Sequence, residues 1–150
     1  MKRISIFAAC AFLIFSCALV SFTAVGPTGI IEDVLTYTNK FRDSKGLNEL
    51  SANTILNSIA QKHSEDMASG KVRFGHDGFE QRNSVAQKQL SIRNFAENVA
   101  FGVNTGEEVV NMWKNSNGHR KNMLGKFTRI GIGVAKDKQG RIFYTQVFSD

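Results

Sequence analysis

The chain reads as an α+β protein in which helices come first and an antiparallel pair of strands closes the fold. Two observations predict this. Apolar residues recur at helical spacing through the first half, and near the end they alternate and then run together at strand spacing. Helices followed by a hairpin, with no alternation of strand and helix, place the helices against a small sheet.

The elements follow in order. Ile30, Ile31, Val34, Leu35, Thr38 and Phe41 recur at three and four, which predicts a helix over 30–45. Gly46 stops it, with Lys45 in the last turn, and Leu47 and Leu50 continue in extended form. Ser51 is the predicted N-cap of a second helix over 52–69. Its Ile55, Leu56, Ile59, Ala60, His63 and Met67 share a face, and Gly70 ends it. Residues 71–96 are polar and weakly periodic, with a short helix expected over 81–89. Residues 95–101 read as a short strand or turn leading to Gly102.

Thr105-Gly106-Glu107-Glu108 is a capping box, because Thr105 and Glu108 can each satisfy the other's exposed backbone donor. It opens a third helix with Val109, Val110, Met112 and Trp113 on the apolar face, Trp113 being assigned to the core. Residues 115–118 interrupt it, and 119–124 add a helical turn. Ile130, Ile132 and Val134 then alternate with Gly131, Gly133 and Ala135. Asp137-Lys138-Gln139-Gly140 makes a turn. Residues 142–148 are apolar on both faces, as in a strand covered on each side.

Composition bounds the class. The 150 residues are 42% hydrophobic and 21% charged, with 12 Phe and a single Pro, which suits a packed domain and excludes disorder and collagen-like repeats. A mean hydropathy of −0.19 excludes a multi-span membrane protein. Residues 1–24 stand apart. Met1-Lys2-Arg3 gives a positive head, 4–20 are almost wholly apolar, and small residues follow. This is the order of a secretory signal or, uncleaved, an N-terminal anchor. Ile14-Phe15-Ser16-Cys17 also resembles a bacterial lipoprotein box, in which an acylated Cys17 would tether the chain. The expected location is secreted or extracytoplasmic, with the functional domain over 27–150. Both cysteines, Cys10 and Cys17, fall in the leading segment, so that domain has no disulfide.

The formal net charge is +6, and Lys2 and Arg3 supply two of those charges. The remaining basic residues are scattered. They predict a solvated surface with weak attraction to anionic lipids or cell-envelope polymers. Nucleic acid is not expected, since there is no basic stripe interleaved with aromatics.

Three histidines could carry chemistry. His63 sits on the buried stripe of the second helix and reads as a hydrogen-bonded core residue. His76, in Phe74-Gly75-His76-Asp77-Gly78, and His119, in Asn117-Gly118-His119-Arg120, lie at irregular junctions where packing gives no reason for an imidazole. Glu97 lies between apolar neighbours and, if buried, needs a partner. An imidazole is a suitable one. The spacing of His76 and His119 is not that of a metal motif such as H-E-x-x-H. The chain has no G-x-S-x-G elbow and no phosphate-binding loop, and its cysteines offer no nucleophile in the domain.

Six ordered stretches resemble the CAP superfamily, the sperm-coating-protein and pathogenesis-related-1 type, in its bacterial branch. They are Asn39-Lys40-Phe41-Arg42 with Gly46-Leu47; Ala60-Gln61-Lys62-His63-Ser64-Glu65-Asp66-Met67-Ala68; Phe74-Gly75-His76; Ala96-Glu97-Asn98-Val99-Ala100; Trp113 with Gly118-His119-Arg120-Lys121-Asn122-Met123-Leu124; and Ile130-Gly131-Ile132-Gly133-Val134 with Tyr144-Thr145-Gln146-Val147-Phe148. The resemblance covers about 30–150. It implies a three-layer α-β-α sandwich with a small antiparallel sheet and a central cleft. By position, His76 and His119 match the two family histidines and Glu97 the first acid. The second family glutamate would fall near Ser116, which carries no charge. The cleft set is then His76, Glu97, Ser116 and His119, with His76 and His119 the candidate ligands for Zn²⁺ or another divalent ion.

Three functions remain in competition. One is a non-catalytic, exported binding module whose cleft takes a divalent metal, a lipid or a peptide. The second is a metal-dependent hydrolase or protease, with His76 and His119 as ligands and Glu97 as base. The third is a buried hydrogen-bond network with no ligand.

Overall fold

The structure is a computed structural model that describes residues 27–150; the predicted signal, Cys10 and Cys17 lie outside the described residues. Helix α1, Pro27–Asp43, starts on a proline, whose fixed φ and missing N–H suit a first helical position. It ends before Gly46, whose φ of +70° lies in the left-handed region that favours glycine.

Ser51 does not cap the second helix. Ser51–Ala52 form strand β1, and the cap of α2 (Thr54–Ala68) is Asn53. The Asn53 side chain accepts from the Ile55 and Leu56 amides. The Ser51 and Asn53 amides donate to the carbonyls of Thr128 and Ile130, so this stretch is committed to the sheet before the helix begins. Helix α3 spans Phe79–Leu90 and strand β2 Phe95–Phe101. Helix α4, Gly106–Asn115, carries the capping box with both of its reciprocal bonds formed. Helix α5 is Asn117–Met123, and β3 and β4 are Arg129–Lys136 and Ile142–Ser149.

Met112 departs from the expected apolar face of α4. It is exposed, because Gly106, Val109, Val110 and Trp113 already define a buried arc that Met112 lies outside at 100° per residue.

The sheet order is β1-β3-β4-β2. β2, β4 and β3 are antiparallel, and β1 adds a short parallel pairing, Ser51 beside Arg129 and Ala52 beside Ile130. Helices cover both faces, giving the α-β-α sandwich. On one side α1 and α4 pack over Ile130, Ile132, Val134, Tyr144 and Phe148, with Trp113 fully buried and its indole N–H donating to the Val99 carbonyl at 3.2 Å. On the other, α2 and α3 cover Val147 with Leu56, Ile59, Ala60 and Ala86.

The glycines of β3 set the closeness of that second layer. A Cβ at Gly131 would run into the Leu56 backbone, and one at Gly133 into the Ala60 backbone. Helix α2 therefore lies directly on the sheet. Its Asn57 and Gln61 side chains accept from the Ile132 and Val134 amides at 2.9 and 3.0 Å. These bonds pair the β3 edge that two-residue β1 leaves open.

Candidate functional site

The site forms at the β2 edge of the sheet, where five segments meet. Side chains alternate along β2, so Glu97 shares the α2–α3 side with Phe95 and Val99. Its side chain is wholly buried. A lone carboxylate there is costly, and three neighbours meet it. Arg82 of α3 grips it with two prongs, Nε on Oε2 at 2.6 Å and Nη2 on Oε1 at 2.7 Å. His76, from the loop before α3, donates from Nδ1 to Oε1 at 2.8 Å. His63 of α2 brings Nε2 to 3.8 Å from Oε1. That nitrogen donates to the Gly75 carbonyl at 2.8 Å.

Two of these bonds fix ring tautomers. A carboxylate and a carbonyl only accept, so the hydrogens sit on His76 Nδ1 and His63 Nε2. The other nitrogen of His76, on a half-exposed ring, then carries no hydrogen and is an acceptor. Gly75, with φ of +141°, adopts a backbone conformation that side-chain-bearing residues avoid. It turns its carbonyl to His63 while its neighbour His76 reaches Glu97.

His119 enters from α5, which is tied to β2 by amide side chains. Asn122 Nδ2 donates to the Glu97 carbonyl at 3.1 Å and to Asn98 Oδ1 at 2.9 Å. Asn98 Nδ2 bonds the His119 carbonyl and Gln146 Oε1, both at 3.2 Å. Gln146 Nε2 continues to Thr38 of α1 at 2.8 Å. This chain of bonds crosses the sheet and seats α5. His119 Nδ1 is buried without a hydrogen-bond partner among the described residues. Burial pushes the His119 pKa down, and the neighbouring His76 charge adds to the effect. Burial also pushes His63 down, opposed by its bond to Gly75 and by Glu97. Ser116 stands at the α4–α5 junction as the residue before α5, about one turn ahead of His119, and makes no side-chain cap bond.

The arrangement limits the chemistry. Both Glu97 oxygens are engaged, so the carboxylate is a poor free base and a poor metal ligand. The imidazoles differ: His76 keeps an outward nitrogen and His119 an unpartnered one. Among the described residues no three His, Cys, Asp or Glu side chains are grouped to hold a metal ion. Beside the site, α2 and α3 enclose a groove of about 640 Å³, with His63 and Arg82 in its lining.

A sequence profile of the CAP, or cysteine-rich secretory protein, family matches residues 35–148. The chain belongs to the CAP family. It is 38% identical over 110 residues to the uncharacterized protein YkwD of Bacillus subtilis (strain 168), covering 69% of this chain and 41% of that one. Among solved structures it resembles an extracellular protein containing an SCP domain from Bacillus anthracis str. Ames, at 30% identity and a TM-score of 0.71. That match covers 82% of this chain and 41% of the other. An outer surface protein of Borrelia burgdorferi, 18% identical, shares the fold at a TM-score of 0.72, with 84% of this chain and 96% of that one covered. The chain spans about two-fifths of the length of YkwD and of the B. anthracis protein. Residues 27–150 contain no cysteine.

Sequence reasoning missed Arg82. Its signal was indirect: a buried glutamate needs a full counter-charge, and a neutral imidazole does not supply one. Arg82 follows the Gly78 cap of α3 by four residues, which turns it back toward the loop carrying His76. It also donates to the Asp77 carbonyl at 2.8 Å.

Proposed function

We propose that this CAP domain is a non-catalytic, extracytoplasmic binding module that presents His76 and His119 to a divalent metal ion. One observation carries the reading. Arg82 and His76 occupy both oxygens of Glu97, which removes the base that a metal-dependent hydrolase would need.

The residues fit a metal in part. The unpartnered Nδ1 of His119 and the outward nitrogen of His76 would hold it. Glu97 would serve behind His76 as the carboxylate that orients a ligating ring. A bound ion would supply an electrophilic centre for an oxygen or nitrogen donor of a partner molecule. With two protein ligands and Ser116 in place of an acid, the affinity should be modest. A lipid or a peptide is the alternative ligand of the module. The extracellular description of the B. anthracis relative and the signal-like start of the chain support the location. No helix among the described residues is long and apolar enough to cross a membrane.

Isothermal titration of the full chain with zinc tests the reading. Binding of one ion, lost in His119→Ala and in His76→Ala, is expected, together with no zinc-dependent turnover of peptides, esters or cell-wall fragments. Undiminished zinc binding by both variants, or turnover that depends on Glu97, would overturn it.

A further inference from the structure

Cations that are scattered in the sequence are gathered by the fold. Between Glu108 and Asp137 the chain carries no Asp or Glu and six Lys or Arg. This stretch holds most of α4, all of α5 and the loop into β3. Helix α1 packs beside α4 and brings Lys40 and, just past its end, Lys45. Three sets of contacts join these pieces. Lys45 Nζ and Lys114 Nζ both stand over the Phe41 ring, 5.9 and 5.3 Å from its centre. Arg120 Nη1 donates to the Lys114 carbonyl at 3.0 Å. The buried Arg42 donates to the carbonyls of Met123 and Gly125 at 2.8 and 3.0 Å, which draws the loop carrying Lys126 against α1.

Lys40, Lys45, Lys114, Arg120 and Lys126 therefore share the surface where the C-terminal ends of α1 and α4 meet α5. Among the described residues none of the five is ion-paired. The lysines rest on aromatic rings instead, Lys40 lying 5.1 Å from the centre of Tyr37, and a ring steadies an ammonium without cancelling its charge. Nearby acids are fewer: Asp43, Glu49 and Glu107, the last of them facing Tyr37. The surface keeps a net positive charge and calls for an extended anion. It gives a base nothing to stack on, since Phe41 is buried and Tyr37 is half-buried under Lys40. It also gives a membrane little apolar footing. Met112 is exposed on α4, but Phe74 and Phe101 pack together beside Phe143, at the opposite end of the sheet.

We propose that the α1–α4–α5 surface binds a linear phosphodiester-linked polyol, an anionic polymer of the cell envelope, along Lys40, Lys45, Lys114, Arg120 and Lys126. The proposal takes only the extracytoplasmic location from the proposed function, and the metal has no part in it. A lysine meets a phosphate as a point charge, and release of the polymer's counterions drives the association. With about 0.7 ions released per phosphate of a flexible chain, five contacts give a salt slope of about −3.5, or roughly a hundredfold loss of affinity between about 50 and about 200 mM salt.

The test titrates the full chain with poly(glycerol phosphate) across that salt range, with neutral dextran as the blank. Saturable binding with the steep slope is expected, and none to dextran. Lys45→Gln/Lys114→Gln should bind at least tenfold more weakly at the low salt, with a slope shallower by about 0.7 per lysine. Lys88→Gln/Lys138→Gln makes the same change in net charge outside this surface and should stay close to the parent. Thermal melts of both pairs should match the parent, which separates lost binding from lost folding. Oligothymidylate of equal charge should bind no more tightly than the polyol, and phosphatidylglycerol vesicles should bind more weakly. No saturable binding, an unchanged slope in Lys45→Gln/Lys114→Gln, an equal loss in both pairs, or a preference for the oligonucleotide or the vesicles would overturn the proposal.

Discussion

Replacing Arg82 with Met probes the arrangement around Glu97 most sharply. The substitution keeps much of the apolar stem of Arg82 but removes the two-pronged contact. Glu97 would stay buried with His76 alone on its carboxylate. Breaking one side of a buried pair costs about 3–5 kcal/mol, because the remaining charge is uncompensated. His76 still reaches Oε1 at 2.8 Å, and Arg82 keeps 13% of its side chain exposed, so the lower figure, about 3 kcal/mol, is expected. For a domain of this size that corresponds to a fall in Tm of roughly 10 °C. Urea unfolding at pH 7 with thermal melts on the same samples measures it. Arg82→Met with Glu97→Gln removes both charges and should recover most of the loss, since replacing a buried pair is far milder than orphaning one member. A single variant within about 1 kcal/mol of the parent, or a double variant no more stable than the single, would refute the reasoning.

Three further outcomes follow from the same structure. Asn53→Ala should cost about 1 kcal/mol through the lost α2 cap, while Ser51→Ala changes the urea midpoint little; the reverse order would restore Ser51 as the cap. Gly133→Ala should cost about 1–3 kcal/mol by forcing α2 away from β3, read as a lower urea midpoint. The third concerns pH. Burial holds His63 and His119 below the ordinary imidazole range. The unfolded chain therefore takes up protons from about pH 6.5 downward, before the folded chain does. Their contribution is fully present above that pH and is lost as pH falls through the folded pKa values. Stability should decline from pH 7 to pH 5, with a shallower slope in His63→Gln. An unchanged slope in that variant would contradict the assignment.

Much of the fold was legible because local signals and tertiary structure agree. The Thr105–Glu108 box, the stop at Gly46 and the alternation in β3 are decided within a few residues, and each stands as expected. Ser51 misled because serine suits both a cap and a strand, and only the distant Thr128 and Ile130 carbonyls decide between them. Met112 misled because a nearly apolar helix offers more hydrophobic side chains than its buried arc takes. At the site, a buried glutamate asked for an imidazole, and His76 stands on it. The Arg82 grip and the Asn98–Asn122–Gln146 bonds were not legible. They join residues far apart in sequence through side chains that would equally suit a solvated surface.

The central claim is that His76 and His119 offer two imidazoles to a metal ion while Glu97 stays committed to Arg82. A crystal of the protein soaked in zinc, read by anomalous scattering, tests it most directly. The claim predicts a single ion on the outward nitrogen of His76 and on His119 Nδ1, with both prongs of Arg82 still on Glu97. An ion bound through a Glu97 oxygen, with the guanidinium displaced, would contradict it.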